Sequence, residues 1–199
     1  MNICVFASGS GTNFQAILKA RNKGIINSSI PLLITNNSKC GAVEIARKYD
    51  VEPVHISRKV FPELSEIEYV NLFLDTLSSF NIDLIVLAGY MKMLDPLIVR
   101  MYENRILNIH PALLPSFGGE GMYGINVHKA VIKAGVKVSG VTIHLVNENY
   151  DDGKIIFQKC VEVSENDDEN SLQKKVLKLE HKYYAYVISQ IEKGVIKIG

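Results

Sequence analysis

The sequence predicts an α/β protein of a single domain: a Rossmann-like, mostly parallel sheet with helices on both faces and a late antiparallel strand pair. Three observations lead there. Short runs that are almost continuously apolar, such as NICVFA, PLLIT and DLIVLAG, alternate with segments whose apolar residues recur every three or four positions, as strands buried on both faces alternate with covering helices. After Gly135 the rhythm changes to two extended stretches joined by a polar turn. At 199 residues, 47% of them apolar, the chain is long enough to bury one substantial core.

Taken in order, Asn2 to Ala7 reads as a strand, and FQAILKARNKG after the glycines as a helix ending at a glycine. PLLIT (31–35) is the next strand, GAVEIARKY the next helix, and PVHI the strand that follows. Glu63 to Phe80 is helix-like and leads into the strand DLIVLAG; Asp95 and Pro96 have the form of a helix start. ILNIH (106–110) is a strand, and Val127 to Ala134 a helix. VSGVTIHLVNENYDDGKIIFQKCVEV gives the two late strands, with a turn around 147–153, as a hairpin-like addition at one side of the sheet. Ser171 to Lys193 carries Leu172, Val176, Leu179, Tyr183 and Val187 at helical spacing, with its lysines on the solvated face.

Composition excludes several classes of partner. The charge of +1, from 22 basic and 21 acidic residues, creates no field for nucleic acid or anionic membrane. Cys4, Cys40 and Cys160 are odd in number and widely separated, against a disulfide framework and in favour of a reducing compartment. With no signal-peptide pattern and no long apolar run, the expected location is cytoplasmic. A small ligand is the expected partner.

Between the first strand and the first helix lies SGSGTNF (8–14). Free backbone N–H groups and the helix dipole make an anion site there, and glycine lets a ligand approach the backbone. The third glycine of a dinucleotide fingerprint would fall at Phe14, and the second strand ends in Asn36 and Asn37 without a ribose-binding acid. No P-loop lysine follows. A single phosphate ester fits best, with the Gly11 and Thr12 amides and the Asn13 side chain as donors; an ordinary capped turn is the alternative.

RILNIHPALLP (105–115) places Asn108 and His110 on one face of a strand that Pro111 ends. Open parallel sheets bind ligands at the carboxyl ends of their strands, so this pair shares an edge with the glycine loop. A carboxamide N–H and an imidazole suit an oxyanion and its proton transfers. Neither a G-x-S-x-G elbow nor a cysteine near a histidine supplies a nucleophile, so an acyl group would pass directly from donor to acceptor. The YDDG turn offers Asp151 and Asp152 as proton-managing carboxylates, although such acids are also common turn residues. His55, His128, His144 and His181 lack metal-ligand spacing, so no metal is expected.

GSGTN, LAGYMKML, NIHPALLP, VTIHLV with YDDG, and LEHKYY together resemble the phosphoribosylglycinamide formyltransferases of the folate-dependent formyltransferase family, in register over essentially the whole chain. The resemblance implies formyl transfer from 10-formyltetrahydrofolate to the amine of glycinamide ribonucleotide in purine synthesis. It implies Asn108 as oxyanion donor, His110 as general acid, and Asp151, the first residue of D-x-G, as the aspartate that tunes it. Gly11, Thr12 and Asn13 match the phosphate loop, Glu180 the glutamate that holds the substrate's amine end, and Met91, Lys92, Met93 and Leu94 the loop lining the folate pocket, where Asn108 also contacts the donor. It divides the domain 1–199 into a phosphate-binding half, about 1–100, and a folate and catalytic half, about 101–199.

Two features depart from the family pattern. Glu66 stands where many members carry an arginine toward the outer part of the folate, with Arg58 and Lys59 nearby. GGEGMYGINVH is longer than the usual link to the next helix, and reads either as a mobile flap or as a surface loop. Other readings are a formyltetrahydrofolate hydrolase, a formyltransferase with another acceptor, and a non-catalytic protein that binds a phosphorylated metabolite.

Overall fold

A computed structural model describes residues 1–198. Seven strands form one sheet: β1 (Asn2–Phe6), β2 (Ser29–Thr35), β3 (Glu52–His55), β4 (Leu84–Leu87), β5 (Ile106–His110), β6 (Val138–Leu145) and β7 (Ile155–Glu162). Their order is β3-β2-β1-β4-β5-β6-β7. The strands from β3 to β5 are parallel, whereas β6 runs antiparallel to β5 and β7 antiparallel to β6. The late strand pair thus extends the sheet at one edge, as the change of rhythm after Gly135 implies.

Six helices cover it: α1 (Thr12–Asn22), α2 (Gly41–Lys48), α3 (Glu66–Ser79), α4 (Pro96–Met101), α5 (Ile125–Ala134) and α6 (Glu169–Glu192). Alternation along the strands sends Ile3 and Val5 of β1 into a core shared with α1, α2 and α6, and Cys4 and Phe6 into a second core shared with α3 and α4. A third cluster, around Val127, Val131, Leu172 and Val176, joins α5 to the start of α6. Apolar side chains of about the size of Phe6 or Ile17, fully buried here, each stabilise a fold by roughly 1.5–3 kcal/mol.

In two of the helices that begin away from the positions that apolar spacing suggests, a cap decides. Ser65 and Glu68 form a capping box, so α3 starts at Glu66 and not at Glu63. Asp168 and Ser171 do the same for α6, which starts at Glu169. At the other end of α6, Glu192 accepts from the Asn27 N–H (2.9 Å), the Ser28 N–H (2.7 Å) and the Ser28 hydroxyl (2.6 Å), pinning the helix to the entry of β2. Burial works against the Glu192 carboxylate, but these donors hold its pKa down at about 2. Glu192→Ala is expected to lower the unfolding free energy by about 2 kcal/mol at pH 7 in urea titrations. That difference should vanish as the pH falls from the ordinary carboxylate range through 2, where protonation removes the bond in the parent.

Candidate active site

The sheet's direction of winding reverses between β1 and β4, and the loops leaving these strands open a crevice at their carboxyl ends. Ser8 N–H donates to the Gly89 carbonyl (3.0 Å) and Met91 N–H to the Ser8 hydroxyl (2.9 Å), so the two loops form one floor. Above it is a cavity of about 720 Å³. Gly11, Thr12, Asn13, Met91, Lys92, Met93, Leu94, Asn108, His110, Asp151 and Glu180 all line it; residues distant in sequence meet on one rim.

At one end stands the amino terminus of α1, whose cap residue Gly11 is left-handed (φ 75°) and supplies no side-chain cap. The first-turn amides are therefore free of such a bond. A side chain at Gly11 would also meet Ala42 of α2, with a Cβ 2.8 Å from its Cα. Asn13, expected to donate to a phosphate, gives one side-chain N–H to Glu180 Oε2 (2.6 Å), inside the protein. A carboxamide carries a second N–H, so this bond does not use up its donors. Burial pushes the Glu180 carboxyl up, against the opposing Asn13 bond.

At the other end, β5 presents Asn108 and His110, and the turn after β6 brings Asp151 to them. Asp151 Oδ2 lies 3.4 Å from His110 Nδ1, and Oδ1 lies 3.6 Å from His144 Nε2. Gly119 N–H donates to Asp151 Oδ2 (2.9 Å). His110 Nε2–H donates to the Phe117 carbonyl (2.8 Å). Asp152, the other acid of the turn, accepts instead from the Asn147 and Asn149 side chains at the surface. Between the two acids, the backbone decides: Asp151 is left-handed (φ 52°) and turns its carboxylate inward.

Burial depresses the His110 pKa, opposed by Asp151 and the Phe117 carbonyl and reinforced by nearby His144. Burial works to raise Asp151, yet a bond from His144, the charge of His110 and the Gly119 amide together leave it below the ordinary carboxylate value. A neutral imidazole thus faces an ionised carboxylate at pH 7.

Sequence reasoning set His144 aside. It is the direct partner of Asn108 across the β5–β6 ladder, and Asn108 Nδ2 lies 3.1 Å from its Nε2. Nδ1 donates to the Leu145 carbonyl (2.8 Å), which fixes the ring with Nε2 between the Asn108 amide and Asp151. Two residues away, Thr142 donates to the Ala112 carbonyl (2.7 Å) and accepts from Leu114 N–H (3.0 Å), fixing the turn after His110.

His128 on α5 also lines the cavity, 2% exposed and with no hydrogen-bond partner for Nδ1. Burial, and then the charge of His110, lower its pKa to about 4. The unfolded chain, with an ordinary value near 6.5, binds the extra proton between these limits. Stability should therefore fall by on the order of 3 kcal/mol as the pH drops from 6.5 to 4. His128→Leu is expected to weaken that dependence in urea unfolding while leaving stability at pH 7 intact.

The glycine-rich segment after Phe117 is neither detached nor remote, since Gly119 to Gly124 forms part of the cavity wall. Glu66 and Arg58 form an ion pair beside an adjoining cavity of about 990 Å³ that shares Tyr90, Lys92, Met93 and Leu94 with the first. Among the described residues no helix is long and apolar enough to cross a membrane, and no group of His, Cys, Asp and Glu could hold a metal ion.

Comparison with known proteins bears on what this cavity serves. The chloroplastic phosphoribosylglycinamide formyltransferase of Arabidopsis thaliana is 44% identical over 195 residues, covering 98% of this chain and 66% of the plant protein. The phosphoribosylglycinamide formyltransferase of Bacillus subtilis is 35% identical, with 94% of this chain and 92% of the relative covered. The crystal structure of the phosphoribosylglycinamide formyltransferase from Bacillus halodurans superposes with a TM-score of 0.89 at 36% identity, covering 98% of this chain and 97% of that one. This chain spans two thirds or less of the length of the plant relatives. Formyl transferase is the family matched, over residues 1–188, and the chain belongs to it.

Proposed function

We propose that this protein is a phosphoribosylglycinamide formyltransferase, which passes the formyl group of 10-formyltetrahydrofolate to the amine of glycinamide ribonucleotide in purine biosynthesis. The observation that supports this most is the approach of Asp151 to His110 beside Asn108, in one cavity with the bare amides of α1. The phosphate of the ribonucleotide lies against the Gly11–Asn13 backbone, and the donor against Met91–Leu94. Both substrates are small molecules, and no metal takes part in the proposed steps.

The amine of the acceptor adjoins a carbonyl, so its pKa is near the ~8 of an α-amino group and a useful fraction is neutral at pH 7. Its nitrogen attacks the formyl carbon, and the carbonyl oxygen becomes an oxyanion that accepts from Asn108 Nδ2–H. His110 takes a proton from the attacking nitrogen at Nδ1, and Asp151 stabilises the resulting imidazolium. The carbon bond to the folate nitrogen then breaks as His110 returns the proton to that nitrogen. The products are the formylated ribonucleotide and tetrahydrofolate, with no covalent enzyme intermediate.

The test supplies purified protein with 10-formyltetrahydrofolate and either glycinamide ribonucleotide or buffer. Tetrahydrofolate should form only with the ribonucleotide. Release in buffer alone would mean a hydrolase, and no release in either would leave the binding-protein reading.

A further inference from the structure

The run Phe117–Gly118–Gly119 reaches both members of the catalytic pair through its backbone. The Phe117 carbonyl accepts from His110 Nε2–H (2.8 Å), and Gly119 N–H donates to Asp151 Oδ2 (2.9 Å). These two groups are separated by a single residue, and a side chain on that residue would crowd both Leu114 and Asp151. A Cβ on Gly118 would lie 2.5 Å from Leu114 Cδ2 and 3.1 Å from Asp151 Cβ. Phe117 is itself left-handed (φ 57°), the conformation that turns its carbonyl back toward the ring. A loop serving only to connect β5 to α5 requires none of this.

We infer that Phe117–Gly119 is a positioning element for the formyl transfer reaction, which fixes His110 as the Nε2–H tautomer and holds Asp151 against its Nδ1. The chemical consequence is definite. A neutral imidazole has one donor and one acceptor nitrogen. With Nε2–H committed to the Phe117 carbonyl, Nδ1 carries the free lone pair, and it faces the carboxylate and the cavity. The proton taken up during transfer therefore arrives at Nδ1, between His110 and Asp151. The Gly119 amide occupies one lone pair of Oδ2 and favours the ionised acid, offsetting part of the burial that works to protonate it. Gly118 lets the two backbone groups approach together; the longer segment from Gly119 to Gly124 continues from this clamp into the cavity wall.

The kinetic part of the test rests on the proposed function, and the spectroscopic part does not. Protein labelled with ¹⁵N at histidine should show, for neutral His110 at pH 7.5, a pyrrole-type Nε2 and a pyridine-type Nδ1 in a single tautomer, without any substrate. A resonance pair showing Nδ1–H, or a fast average of the two forms, would overturn the inference. Gly118→Ala should convert the single tautomer to a mixture and lower kcat by at least tenfold, with KM for both substrates changed less than threefold. A Gly118→Ala protein with the parental kcat and ring spectrum would also overturn it. If that variant does not fold, the parental ¹⁵N spectrum decides alone.

Discussion

Replacing His110 with alanine is expected to lower kcat by about 10²- to 10⁴-fold, the range for loss of a positioned proton-transfer group. KM for the ribonucleotide should change little, because its phosphate is assigned to the far end of the cavity at the amino terminus of α1. The reason for the loss is local. The ring sits 3% exposed, with one nitrogen bonded to the Phe117 carbonyl and the other 3.4 Å from Asp151; water entering the vacated space has neither its basicity nor its orientation. Since burial lowers the His110 pKa, the neutral form prevails at pH 7, and the enzyme falls off in acid only below the ordinary histidine value near 6.5. Steady-state rates from pH 5 to 8 on parent and variant check both statements. A His110→Ala protein within fivefold of the parent would remove His110 from the reaction.

Asp151→Asn should have the second largest effect, with kcat down by about 10²-fold or more as the imidazolium loses its counter-charge. The pH profile makes the assignment specific. Asp151 acts to raise the His110 pKa against burial. Removing its charge must lower that pKa further, so the acid limb of kcat moves to lower pH. Asp152→Asn should shift neither, because Asp152 does not line the cavity and its exposed side chain is bonded to Asn147 and Asn149 at the cavity's edge. An unmoved acid limb in Asp151→Asn would mean that the carboxylate and the imidazole do not communicate.

Much of the fold was legible because parallel strands and their helices carry their burial in their own apolar rhythm. What the rhythm could not place were the helix starts. Ser65 with Glu68 and Asp168 with Ser171 are readable capping pairs, and they override apolar spacing because they satisfy amides that packing leaves bare.

In the site, Asn108 and His110 were visible as polar residues on one face of an apolar strand. His144 was not, because its meeting with Asn108 depends on the register of two antiparallel strands separated by a helix. Nothing local in VTIHLV sets that register. The same limit applies to Asn13, whose bond to Glu180 depends on where α6 packs and is not readable in the glycine loop. Asp151 and Asp152 were equivalent in composition, and only the resemblance to a family favoured the first. The left-handed turn at Asp151 separates them physically. The segment after Phe117 left two readings open, flap or surface loop, since glycine content reports backbone freedom and not location. Its place on the cavity wall follows from the bonds at Phe117 and Gly119.

The account as a whole depends on direct passage of the formyl carbon between two ligands held in one cavity. A rapid-quench experiment with donor labelled in the formyl carbon, run to a single turnover with glycinamide ribonucleotide, measures this. All label should appear in the ribonucleotide and none on the protein, with product formed as fast as donor is consumed. Label bound to the acid-quenched protein, or recovered as formate, would contradict it.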